Sequence, residues 1–184
     1  MKTSNKKLIA AIILMVVGII FRLLQIAPNF TPMTAIALFG GAYLLDKRLS
    51  VIVTIASLFI SDVLLAKMNH YPVLHDTIFF VYGAYLLIVF LGWKLQNGKF
   101  SFLTAGGFAV LSSVLFFVVS NIGVWLVGVL YPVTLDGLFS CFTNAIPFYK
   151  YTFIGDVVYT LLFFGIYNLI FNSEKPLRPE TSKV

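Results

Sequence analysis

The run Met33-Thr34-Ala35-Ile36-Ala37-Leu38-Phe39-Gly40-Gly41-Ala42-Tyr43-Leu44-Leu45 decides the fold. It is wholly apolar apart from Thr34, yet it is short for a membrane span. A hydrocarbon core of about 30 Å takes roughly 20 apolar residues as a helix. If this run crosses a bilayer, the chain has six spans. If it dips in and returns, the chain has five, and every later loop changes sides.

Five other runs are long enough without argument: Leu8–Ile26, Leu49–Ala66, Thr77–Trp93, Leu103–Leu130 and Tyr151–Phe171. The fourth would extend about 42 Å as a helix, so it must tilt or project. Basic residues choose between the two topologies, because cytoplasmic loops collect Lys and Arg. With six spans one side receives Lys2, Lys6, Lys7, Lys47, Arg48, Lys94, Lys99, Lys175, Arg178 and Lys183. The other side receives only Arg22, Lys67 and Lys150. With five spans the split falls to eight against five. The expected fold is therefore an all-α membrane protein, a six-transmembrane-helix bundle with both termini in the cytoplasm. Its spans are about 8–26, 32–46, 49–67, 77–95, 103–130 and 151–171. They form one domain over 1–171, followed by a polar, disordered cytoplasmic tail over 172–184.

Composition agrees. The chain is 60% hydrophobic and 11% charged, whereas soluble domains carry about 25% charged residues. The net charge of +6 does not point to nucleic acid, because the basic residues stand singly or in pairs between apolar runs. The lone Cys141 can close no internal disulfide. Lys6-Lys7 before Leu8–Phe21 has the outline of a signal peptide, but no small-x-small cleavage site follows, so a retained first span is the reading. Gly40-Gly41, Gly106-Gly107, Gly123 and Gly128 suit close helix contacts. Within Val133–Tyr149, Leu135, Leu138, Phe139, Phe142 and Ile146 recur at helical spacing between Pro132 and Pro147. That pattern predicts a short amphipathic helix at the outer interface, an anchor or a lid.

Ionisable residues within spans are costly and ask for a reason. Arg22, Asp62 and Asp156 qualify, and each falls within about 10 Å of the outer boundary. Asn121 and Trp125 lie on span five, Gln25 and Asn29 flank span one, and Tyr82 and Tyr85 occupy the outer part of span four. This convergence predicts an outward-facing pocket; the competing reading is a structural network in which Arg22 pairs with Asp62 or Asp156. The outer loop holding His70, His75 and Asp76 has metal-ligand types, although solvated loop histidines explain it more simply. No HExxH, Gly-x-Ser-x-Gly or Walker A sequence occurs, so neither an enzyme nor a cofactor is expected.

The stretch Asn29-Phe30-Thr31-Pro32 through Gly40-Gly41-Ala42-Tyr43 resembles a signature of a small bacterial membrane protein family of undefined function. Ser61-Asp62, Ser120-Asn121-Ile122-Gly123-Val124-Trp125, Tyr131-Pro132, Ala145-Ile146-Pro147-Phe148 and Gly155-Asp156 fit the same pattern. That family in turn resembles the substrate-binding S components of energy-coupling factor (ECF) transporters. The resemblance implies a multi-pass protein of the bacterial cytoplasmic membrane that captures a vitamin-like molecule or a precursor. It also implies docking on a transmembrane T component with ATPase subunits. The expected binding residues are Arg22, Asn29, Asp62, Tyr82, Asn121, Trp125 and Asp156, with Arg22 meeting an anionic group. Two alternatives stand beside it: a non-catalytic assembly protein with no small ligand, and a stand-alone ion-coupled carrier using Asp62 or Asp156.

Overall fold

The computed structural model describes residues 3–27, 29–44, 46–96 and 101–171. These form six helices: α1 (Thr3–Leu23), α2 (Met33–Tyr43), α3 (Lys47–Asn69), α4 (Ile78–Trp93), α5 (Phe102–Val127) and α6 (Leu135–Phe171). Three of them, α3, α5 and α6, are long and apolar enough to cross a membrane. Among the described residues, shorter apolar helical stretches cover Ala11–Leu23 within α1, Met33–Tyr43 and Ile78–Trp93. Large apolar side chains stand exposed along the outside, among them Ile13, Ile20, Ile52, Phe59, Leu111, Val114, Leu162 and Ile166. Water would penalise such a surface and lipid would not. By length and composition this is a membrane protein.

The deciding run becomes α2, and α2 is the core. It touches each of the other five helices, and every residue from Met33 to Ala42 is buried. A helix apolar on all sides has no wet face to offer. Its 11 residues rise about 17 Å, well short of a bilayer core. Small residues let its neighbours close in. A Cβ on Gly41 would collide with the carbonyl of Val89 and lie 3.0 Å from the Cα of Gly92, so α2 and α4 meet backbone to backbone. α3 turns Ser50, Thr54, Ser57 and Ser61 inward, a stripe of small residues that permits equally close approach. At the end of α2 the Gln96 side chain donates to the carbonyls of Gly41 and Leu44, at 2.9 and 3.2 Å. It thereby satisfies acceptors that the last helical turn leaves open.

Caps set the other boundaries. The Asp46 carboxylate accepts from the backbone N–H of Arg48 and Leu49, starting α3. α5 stops at Gly128, which takes the left-handed conformation at φ +74°. It therefore ends at Val127, short of the expected Leu130. α1 likewise ends at Leu23, before Gln25 turns left-handed at φ 46°.

One expectation is overturned. The segment before the last span is not a separate interfacial helix: α6 runs unbroken for 37 residues, with Pro147 inside it. Proline removes one backbone donor and normally breaks a helix. Here both flanks lean on the same ring of α5. Phe142 meets Phe117 edge-on at 5.6 Å from one side, and Tyr149 stacks on it at 4.4 Å from the other. Packing therefore holds the line across the missing hydrogen bond. The tail beyond Phe171 lies outside the described residues.

Candidate functional site

α1, α4, α5 and α6 converge at one end around a cavity of about 360 Å³. It lies at the end opposite Lys47 and Lys94, and each helix contributes a different chemistry. α1 brings Arg22, and the connection to α2 brings Asn29 and Thr31. Tyr85 comes from α4; Phe116, Phe117, Ser120 and Asn121 come from α5. α6 supplies Ala145, Phe148, Tyr149, Thr152 and Asp156.

Local structure explains how these groups arrive. Asn29 adopts φ 60°, a conformation that asparagine tolerates better than most residues. The loop then settles on α6, where the Phe30 ring lies 5.1 Å from that of Tyr159. Gly155 makes the seat, since a Cβ there would press on Phe30 at 3.2 Å and on the Thr31 nitrogen at 3.4 Å. The glycine before Asp156 thus brings the loop over the carboxylate. On α5, Gly123 performs a similar task for α4, because any side chain there would strike the Phe80 ring.

Two polar groups form at this level. In the first, Arg22 reaches across to α3. One nitrogen lies 2.6 Å from Asp62 Oδ1. The other donates to Ser61 Oγ and, at 3.4 Å, to the Leu58 carbonyl. Tyr82 donates to the second Asp62 oxygen at 2.8 Å. Both carboxylate oxygens are therefore taken. In the second group, Asp156 is 2% exposed, with the Thr34 and Ser113 hydroxyls as neighbours. Its Oδ2 has no hydrogen-bond partner, and neither has Ser113 Oγ.

Of the residues singled out from sequence, Arg22, Asn29, Asn121 and Asp156 line the cavity. Asp62 and Tyr82 do not; they stand behind Arg22 and hold it. Trp125 is further out, donating its ring N–H to the Thr134 carbonyl at 3.0 Å, and so ties the end of α5 to the connection before α6. Asn121 spends its N–H on the Phe117 carbonyl of its own helix. His75 contacts Thr77 at 3.0 Å. Among the described residues, no group of three His, Cys, Asp or Glu side chains is placed to hold a metal ion.

The chain belongs to a family of unknown function, DUF6580. The match covers residues 2–178. No curated protein and no solved structure matches the chain.

In this DUF6580 chain the aromatic wall of Phe116, Phe117 and Tyr149, with Thr152 beside it, was the part that sequence reasoning missed. None of these residues carries a charge to mark it. A signal existed on α6: Tyr149, Thr152 and Asp156 stand at i, i+3 and i+7, one helical face. Treating Pro147 as a helix boundary hid that register.

Proposed function

We propose that this protein captures a small organic molecule in the cavity and serves as the substrate-binding component of an ECF-type importer. The observation that carries the reading is the cavity itself. Its volume of about 360 Å³ falls within the range of roughly 300–1,000 Å³ usual for small-molecule sites. It combines a few converging polar groups with aromatic walls, as such sites do. A protein with only a structural network would fill this space with side chains. The chain takes part as a binder rather than a catalyst. In this reading the six helices sit in the bacterial cytoplasmic membrane with both ends inside, as the ten-to-three distribution of basic residues favours. The cavity then opens outward, and a T component with ATPase subunits drives transport.

A stand-alone ion-coupled carrier is less well supported. Such a carrier needs a polar route past the binding level. Beyond Thr160, α6 presents Phe163, Phe164 and Tyr167 to Phe39 and Tyr43 of α2. The closest pair, Tyr43 and Tyr167, has ring centroids 4.1 Å apart. These ring contacts make the α2–α6 face below Asp156 apolar, which disfavours an ion route along it.

Native mass spectrometry of gently purified protein tests the capture reading. The expected result is one small molecule retained per chain. Ala145→Trp, which fills the cavity from its wall, abolishes that retention while leaving the fold intact. A wild-type protein that carries no small molecule under conditions preserving bound lipid would sink the reading. Co-purification of a T component tests the partner separately.

A further inference from the structure

Resting on the capture reading, we infer that the ligand is an organic cation: a protonated amine or amidine on a flat, ring-bearing frame. The argument begins with what each charged group already has. Arg22 draws attention as an anion receptor, yet its charge is balanced by Asp62 at 2.6 Å. Two more acceptors, Ser61 Oγ and the Leu58 carbonyl, occupy its donors. With five N–H groups, the guanidinium can still donate to a neutral acceptor on a ligand, but it offers no net positive charge.

Asp156 is the opposite case. No basic side chain pairs with it among the described residues, where the Arg22–Asp62 bridge is the ion pair present. Asp156 is 2% exposed as a residue and lines the cavity, and its covered Oδ2 is without a hydrogen-bond partner. Lys67 and Lys150, the other cations of this end, are exposed. Lys150 lies over the Tyr151 ring at 4.8 Å, and neither lysine lines the cavity. The cavity level therefore carries one guanidinium against two carboxylates. A buried, unpaired carboxylate is costly, and a ligand ammonium or amidinium would supply the missing charge and donor together.

The walls agree with this sign. Tyr85 packs on Phe116 with centroids 4.9 Å apart, and Phe117 packs on Tyr149 at 4.4 Å. All four line the cavity. Aromatic faces carry negative quadrupole density, so they attract a cation and repel an anion. The same rings would stack on a flat frame.

Three probes of nearly equal shape test the sign: tryptamine as the cation, indole-3-propionate as the anion and 3-ethylindole as the neutral form. Each is titrated into the purified full-length protein in micelles, and thermal unfolding is followed. Tryptamine is expected to raise the midpoint, and the other two to bind at least tenfold more weakly. Asp156→Asn should erase the preference. Ala145→Trp should erase the shift itself, which separates cavity binding from partition into the micelle. If Asp156→Asn fails to fold, the ranking of the three probes on wild-type protein decides alone. Equal or stronger binding of indole-3-propionate overturns the inference and leaves the capture reading standing, as does an anionic molecule found in native mass spectra. A failure of all three probes to shift the midpoint overturns it as well. Complete absence of a co-purified molecule is the separate outcome that removes the capture reading.

Discussion

Asp62 and Asp156 are both aspartates within a helix, at one level of the same bundle, and they do different work. Asp62 has a guanidinium on one oxygen and a phenol on the other. Asp156 has a buried oxygen with nothing on it. A satisfied carboxylate holds structure, whereas an unsatisfied one beside a cavity leaves a charge that a ligand cation would offset. The difference lies in the neighbours each helix happens to face.

Removing one carboxylate at a time breaks this comparison most sharply. Asp62→Ala leaves Arg22 without its counter-charge and is expected to cost about 3 kcal/mol of stability, read from unfolding in micelles. Arg22→Met combined with Asp62→Leu should recover most of that loss, because the pair then disappears together. Asp156→Asn should behave in the reverse way. Its stability stays within about 1 kcal/mol of wild type, while tryptamine binding weakens at least tenfold. Equal destabilisation by the two aspartate variants would erase the distinction between them. Tyr82→Phe removes one hydrogen bond from Asp62 at a partly open site and should cost about 1 kcal/mol, with probe binding unchanged in calorimetry. The smallest effect is expected from Trp125→Phe, which loses the bond to the Thr134 carbonyl. Its cost is about 0.5 kcal/mol, again without any change in probe affinity.

Much of the architecture was legible. The apolar runs locate α2 to α5 to within three residues at each end and α1 to within five, because hydrophobic length is a direct physical signal, whereas α6 begins at Leu135, sixteen residues before the expected start. The polar level was legible too, since Arg22, Asp62 and Asp156 have no cheap place in an apolar run. The partner of Arg22 was not. Which of two aspartates lies 2.6 Å away depends on how α1 and α3 rotate against each other, and apolar sequence does not record that angle. The α6 register was hidden for another reason. Pro147 is a strong local signal for a break, and it was overridden by contacts to Phe117 from 25 and 32 positions away in the chain. Trp125 resembles a stacking platform in sequence, but a single N–H bond turns it into a tie.

The burial of α2 also bears on how the chain is made. A ribosome delivers α2 early, with α1 behind it and α3 just emerging. At about 17 Å this helix cannot stand alone across lipid, where each uncovered backbone end is penalised. Its last carbonyls wait for Gln96, which is synthesised 55 positions after Gly41. Its flank waits for Gly92, and its aromatic stack waits for the far end of α6. The full set of contacts that buries the second helix therefore exists only once the final helix has been made.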